Sequence, residues 1–204
     1  EEAQTNTVDS KIKGVVDAWY KSNIIDAGYG SAVSDILFCN DRTTPGKTVT
    51  GWVSDTGLGY GTNYTAYGAT ARTGVWNAKT SSVPTFKCPQ KNDAFTVNDT
   101  NKGNGALSYP IGLITADEII TAGSGKYHTT NKNYYLYHPK YYYWSLSPYT
   151  YNEAAEFGVG TDGCLVGTFV YNIGGAVAPV INLSAEYVKT LKGTGTMTDP
   201  YQPV

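Results

Sequence analysis

The sequence predicts an α+β domain, with helices first and a largely antiparallel sheet last. Three observations predict it. An amphipathic period stands near the amino end, a capping box precedes a short apolar run in the middle, and short strand-like segments broken by turn residues fill the last third. The 204 residues fit a single domain, with 1–7 as an N-terminal extension and no internal repeat or interdomain linker.

The first helix is expected over 8–22, because Ile12, Val15, Val16 and Trp19 recur at helical spacing while Lys11, Lys13 and Lys21 fall elsewhere. A short second helix is expected over 31–38. Residues 40–75 are rich in Gly, Thr and Tyr and carry turn signals such as Pro45-Gly46, so ordered loops and short strands are expected there. Pro84, Pro89 and Pro110 punctuate the middle. Ile111-Gly112-Leu113-Ile114 reads as a short strand leading into Thr115-Ala116-Asp117-Glu118, a capping box that starts a two-turn helix ending near Gly123. Strands are then expected over 134–137, 142–147, 154–159, 164–170 and 177–183, with Asp162-Gly163 as a tight hairpin turn.

Composition excludes several classes. No run approaches the ~18 apolar residues that span a bilayer, so no membrane insertion is expected. Arg42 and Arg72 are the only arginines and the net charge is -2, which argues against nucleic acid as a partner. Aromatic residues at 13% with so little net charge argue against disorder. The chain opens Glu1-Glu2-Ala3-Gln4 and its only methionine is Met197, so it reads as a processed or trimmed piece of a longer protein.

The three cysteines, Cys39, Cys88 and Cys164, allow three single pairings or three reduced thiols. Cys39 and Cys88 lie in similar polar loop contexts, and their pairing is favoured. A bridge closing about 50 residues contributes roughly 4 kcal/mol in the chain-entropy account and implies an oxidising, extracytoplasmic location.

Ten of the 18 tyrosines fall between Tyr127 and Tyr171, and no basic residue stands between Lys140 and Lys189. Tyr with Ser, Thr, Asn and Gly is the composition of a recognition surface, since the phenol ring supplies rigid amphipathic area and the small polar residues supply adaptable hydrogen bonds. Tyr is also a good strand former, so a half-buried sheet face would read the same way.

Catalytic patterns are thin, and the chain is read as not an enzyme. His128 and His138 form no helical metal pair, no Gly-x-Ser-x-Gly elbow occurs, and Gly57-Leu58-Gly59-Tyr60-Gly61 lacks a strand–turn–helix context. Cys164 has no basic neighbour to activate a thiolate. On a strand, Glu153 and Glu156 would point to opposite faces. Asp35, Asp41, Asp93 and Asp99 are too scattered to suggest a calcium site. No cofactor or metal is expected.

The segments Tyr143-Trp144-Ser145-Leu146-Ser147-Pro148, Val177-Ala178-Pro179-Val180-Ile181-Asn182-Leu183 and Gly193-Thr194-Gly195-Thr196 with Asp199-Pro200-Tyr201 carry a resemblance. So do Val16-Asp17-Ala18-Trp19-Tyr20, Phe38-Cys39-Asn40-Asp41-Arg42 and the 109–118 segment. Together they resemble an uncharacterised family of bacterial surface domains common in gut Firmicutes, over about residues 8 to 202. The chain is also similar to the variable proteins of diversity-generating retroelements. The resemblance implies a C-type-lectin-like fold, related to the formylglycine-generating-enzyme scaffold, with two helices, short mostly antiparallel strands and long ordered loops. It places a variable ligand-binding region within 142–183. The residues carried over as ligand-binding are Tyr142, Tyr149, Thr150, Tyr151, Asn152, Glu153, Glu156, Gly158, Cys164, Val166, Thr168, Tyr171 and Ile173. Trp144, Pro148, Gly163, Leu165 and Pro179 would be scaffold. Ala178 stands where the family usually has Arg, and Cys164 where relatives often have Asn. The lectin calcium motifs are absent, and the copper-binding cysteine pair is not evident.

The function expected from residues and resemblance together is a surface-displayed, adhesin- or receptor-like ligand-binding domain. Its partner would be a protein or glycan on another cell, host or phage. The alternatives are a structural subunit that self-associates in a pilus or surface filament, and an enzyme on a formylglycine-generating-type scaffold.

Overall fold

The computed structural model describes residues 8–44, 67–73, 83–125, 129–150, 154–172, 174–196 and 198–203. Helix α1 spans Lys11–Tyr20, capped by the Ser10 hydroxyl, which accepts the Lys13 N–H at 3.1 Å. A π-turn over Lys21–Ile25 continues it, with the Asp26 N–H donating to the Lys21 carbonyl at 2.9 Å. The helix lies where the apolar period put it, but rotated. Val16, Tyr20 and Ile24 form the buried row, whereas Val15 and Trp19 are exposed. The buried row wins because Tyr20 stacks on Tyr109 at 5.2 Å and joins Ile111, Leu113 and Trp144 in one apolar cluster.

The helix expected over 31–38 is absent. After a single 3₁₀ turn at Gly30–Ala32 the chain runs extended. Tertiary pairing overrides local preference here. Ser34 N–H donates to the Asn182 carbonyl at 2.8 Å, Ser184 N–H donates to Ala32 at 2.7 Å, and Val33 bridges Leu183. Strand β1, Phe38–Cys39, follows directly.

Helix α2, Gly68–Arg72, occupies part of the stretch expected to hold loops and short strands. Residues 45–66 and 74–75 of that stretch lie outside the described residues. Strand β2, Ala94–Phe95, pairs antiparallel with β1, and the Cys39–Cys88 disulfide joins β1 to the 83–90 segment. The favoured cysteine pairing is therefore present, and Cys164, outside the bridge, is buried.

Helix α3, Ala116–Thr121, carries the expected capping box: Thr115 Oγ1 accepts the Glu118 N–H at 3.2 Å while Glu118 Oε2 accepts the Thr115 N–H at 2.8 Å. Gly123, at φ 92°, closes it in the left-handed region. The strand expected at 111–114 reduces to one bridge, Gly112 to Val180.

The last third holds the main sheet, antiparallel in the order β3 (Tyr143–Thr150), β4 (Ala155–Val159), β5 (Leu165–Phe169). The Asp162-Gly163 turn joins β4 to β5, with Gly163 at φ 78° and packed so closely on the Asn131 carbonyl that a Cβ there would collide with it. Two expected strands fail. Residues 134–137 make a turn, with the Tyr137 N–H donating to the Tyr134 carbonyl at 2.8 Å; Tyr134 enters the core and Tyr135 faces solvent. Residues 177–183 are extended but held by isolated bridges, Val180 to Gly112 and Leu183 to Val33. A short helix α4, Ala185–Val188, follows, capped by Ser184.

Two apolar clusters hold these elements. One contains Ile119, Tyr134, Tyr149, Phe157, Val159 and Leu165; the other contains Val16, Tyr20, Ile24, Ile111, Leu113 and Trp144. Strand β3 contributes to both, so the sheet is covered on one side by α3 and, at its β3 edge, on the other by α1. The α+β class predicted from the sequence is the class observed.

Candidate functional site

Strand alternation sorts the β4 and β5 side chains. Ala155, Phe157 and Val159 face the first core, which leaves Glu156 and Gly158 on the opposite face. Across the ladder, Glu156 pairs with Thr168 and Gly158 with Val166. The Tyr142 ring lies over Gly158 and against Gly175, and it meets Trp144 edge-on at 4.9 Å. A side chain at Gly158 or Gly175 would collide with the Tyr143 carbonyl or the Trp144 indole, so both glycines are required for this packing. Asn172, in the turn after β5, donates from Nδ2 to Thr168 Oγ1 at 2.9 Å.

Two polar atoms on this face are shut off from solvent without a hydrogen bond: Glu156 Oε2 and the Tyr142 hydroxyl, which faces Thr168 without bonding geometry. Burial holds the Glu156 carboxyl well above its ordinary value of 4.5, and no neighbouring charge opposes that shift. Burial also pushes the Tyr142 phenol up to about 12, against a smaller opposing pull from Thr168.

Four of the residues expected to bind ligand are thus assembled on one half-exposed face, Tyr142, Glu156, Val166 and Thr168, with Gly158 buried beneath the Tyr142 ring. Three others are interior and cannot form part of an exposed contact surface. Tyr149 packs edge-on against Phe157 at 4.9 Å, and its ring fills the space a side chain at Gly167 would need. Thr150 is buried beside it, where α2 crosses the end of β3. There the Tyr67 N–H and the Thr70 hydroxyl donate to the Tyr149 carbonyl at 3.3 and 2.8 Å. The physical reason lies in β3 itself, whose register shifts between Trp144 and Pro148 and again between Pro148 and Thr150. The first shift is by two residues and leaves the faces unchanged; the second is by one, so Tyr149, inward by alternation from Tyr143, is followed by an equally inward Thr150. Cys164 is sealed at the start of β5, where the chain at Gly125 runs alongside and the Leu165 N–H donates to the Gly125 carbonyl at 2.9 Å. Tyr171 lies beyond the end of β5, stacked on Phe169 at 5.0 Å and 69% exposed. Tyr151, Asn152, Glu153 and Ile173 lie outside the described residues.

A second feature was not expected from the sequence. A cleft of about 260 Å³ opens between β1, the disulfide-tethered segment at 83–90 and the start of α3. On its wall Arg72 donates from Nε and Nη2 to the two Asp117 oxygens at 3.0 and 2.9 Å, and Nη2 also lies 2.8 Å from Asp41 Oδ2. Burial alone would lower the guanidinium; Asp117 and Asp41 outweigh it and raise it. The Thr85 N–H adds a bond to Asp117 Oδ1 at 2.9 Å, which ties the 83–90 segment across the cleft. The signal in the sequence was the scarcity of arginine. Both arginines are committed to buried or part-buried carboxylates, Arg42 to Asp93 and Arg72 to Asp41 and Asp117.

Among the described residues, no group of His, Cys, Asp and Glu is placed to hold a metal ion, and no helix is long and apolar enough to cross a membrane. No protein family, curated protein or solved structure compared with the chain matches it.

Proposed function

We propose that this chain is a non-catalytic, extracytoplasmic ligand-binding domain with a C-type-lectin-like fold. It would recognise a protein or glycan through the outer face of β4 and β5 and the aromatic edge beyond β5. The observation that carries the reading is the assembly of Tyr142, Glu156, Val166 and Thr168 on one half-exposed sheet face. The Cys39–Cys88 disulfide supports an oxidising location. Exposed Tyr171, stacked on Phe169, supplies a rigid ring at the rim at little entropic cost.

The test is binding of the labelled domain to an array of glycans and to intact bacterial and epithelial cells, compared with Val166→Arg and Thr168→Arg. Both substitutions place a bulky charge on half-exposed positions. Saturable binding that both variants abolish, with unchanged thermal melts, is expected. Binding that survives both substitutions would remove the face from the reading. Large oligomers in dilute solution, dispersed by the same substitutions, would replace it with the filament-subunit reading.

A further inference from the structure

We propose that the Glu156 carboxyl on the outer face of β4 is the counter-charge for a lysine-type ammonium group presented by a protein ligand. This deepens the binding-face reading and rests on it. Glu156 Oε2 and the Tyr142 hydroxyl are both closed off from water and both lack a hydrogen-bond partner. Orphaned buried oxygens are costly, and two on one face mark a place where a donor is missing. Thr168 lies directly across the ladder from Glu156 and faces the Tyr142 hydroxyl, and its Oγ1 accepts from Asn172, but it makes a hydrogen bond to neither orphaned oxygen.

Among the described residues no cation pairs with this carboxyl. Burial is the one influence acting on it, and no lysine or arginine occurs between Lys140 and Lys189. An ammonium carries three N–H donors and no acceptor, which matches a carboxylate oxygen and a phenol oxygen that both lack a donor. The flanks fit a hydrocarbon stem: Val166 is half-exposed across the ladder from Gly158, and the half-buried Tyr142 ring covers Gly158. A lysine side chain can lay its four methylenes on such a wall. An amino sugar brings hydroxyls for which Val166 and the ring face offer no partner. On binding, the carboxyl proton passes to solvent and the ammonium–carboxylate pair forms, so one proton is released per ligand.

The experiment is an amide-resolved NMR titration of the full chain with Nα-acetyl-lysinamide, with Nα-acetyl-norleucinamide as the uncharged match and glucosamine as an amine without the stem. The lysine probe is expected to give saturable shifts at the Glu156, Val166 and Thr168 amides, with affinity at least about tenfold above that of the norleucine probe. Those shifts are lost in Glu156→Gln, and in the unaltered protein the lysine probe lowers the pH midpoint of the Glu156 side chain. The midpoint needs no variant, so it decides the matter even if the Gln variant does not fold. Equal binding of norleucine, retention of lysine binding in Glu156→Gln, or an unmoved midpoint overturns the cation site while the binding face stands. Glucosamine matching lysine overturns the protein-ligand assignment. Shifts confined to residues away from this face overturn both readings.

Discussion

Arg42 holds Asp93 with both ends of one residue: its backbone N–H donates to Oδ2 at 3.0 Å and its side-chain Nε donates to Oδ1 at 2.7 Å, with Nη2 also on Oδ1. Both side chains are fully buried. The pair sits just after β1 and just before β2, and it locks these two-residue strands in register where the ladder alone is too short to do so. Removing one partner leaves a bare charge in the interior, which typically costs about 3–5 kcal/mol. Arg42→Met is therefore expected to lower the urea-unfolding free energy by that amount. The double variant Arg42→Met/Asp93→Leu should recover part of the loss, because no buried charge is left. A single variant that loses no more than a surface substitution would remove this pair from the account of stability.

The disulfide ties the same region from outside. Its two cysteines are 49 residues apart in sequence, and a loop of that size is worth about 4 kcal/mol in the unfolded chain. Cys39→Ser/Cys88→Ser is expected to destabilise by roughly that figure, measured by denaturant unfolding. Thiol titration gives an independent check. The native protein should show no reactive thiol, the denatured protein one from Cys164, and the reduced, denatured protein three. A reactive thiol in the native state would mean that Cys164 is not sealed beneath the chain at Gly125.

What was legible in the sequence was chiefly local. The α3 capping box, the Asp162-Gly163 turn and the three strands of the main sheet depend on residues within a few positions of one another, and each is where it was expected. Distant partners set the remainder. The 31–38 segment is held extended by Asn182 and Ser184, and the 134–137 turn buries Tyr134 against the first core; neither influence leaves a local trace. The same division runs through the candidate site. Strict alternation along β4 and β5 puts Glu156, Gly158, Val166 and Thr168 on the face opposite the first core. In β3, alternation from Tyr143 already puts Tyr149 inward, while the one-residue shift after Pro148 turns Thr150 inward, and no residue type in that strand announces that shift. The Arg72 bracket joins positions 41, 72 and 117, which only the folded chain brings together.

Two carboxyls should give the stability–pH profile opposite slopes. For Asp35, burial raises the pKa, but the N–H groups of Val97, Asn98 and Asp99 donate to the carboxylate at 2.7, 2.7 and 3.1 Å and bring it below the ordinary 3.8. A lowered folded-state pKa contributes stability above 3.8 that disappears as pH falls through the folded value. Glu156 is raised, so its contribution is complete below 4.5 and is lost as pH climbs toward its folded value. Unfolding free energies measured from about pH 2 to 8 are expected to show a shallower acid limb in Asp35→Asn and a smaller neutral-pH decline in Glu156→Gln. Profiles parallel to that of the unaltered protein in both variants would sink these assignments.

Tyr149 and Tyr171, both taken from the sequence as ligand contacts, should respond to truncation in opposite ways. Tyr149 is 4% exposed, sits edge-on to Phe157 and fills the space beside Gly167, so its removal leaves a cavity in the first core. Tyr149→Ala is expected to cost about 3–5 kcal/mol, the range for deleting a buried aromatic ring. Tyr171 is 69% exposed and contacts Phe169 by stacking alone among the ring pairs of the described residues. Tyr171→Ala should change stability by no more than about 0.5 kcal/mol, as exposed positions do, while weakening any binding made at the rim of the sheet. Denaturant unfolding of the two variants separates core from surface directly. A costly Tyr171→Ala would show that its ring is a structural prop for Phe169, and the rim would then have no free aromatic to offer a ligand.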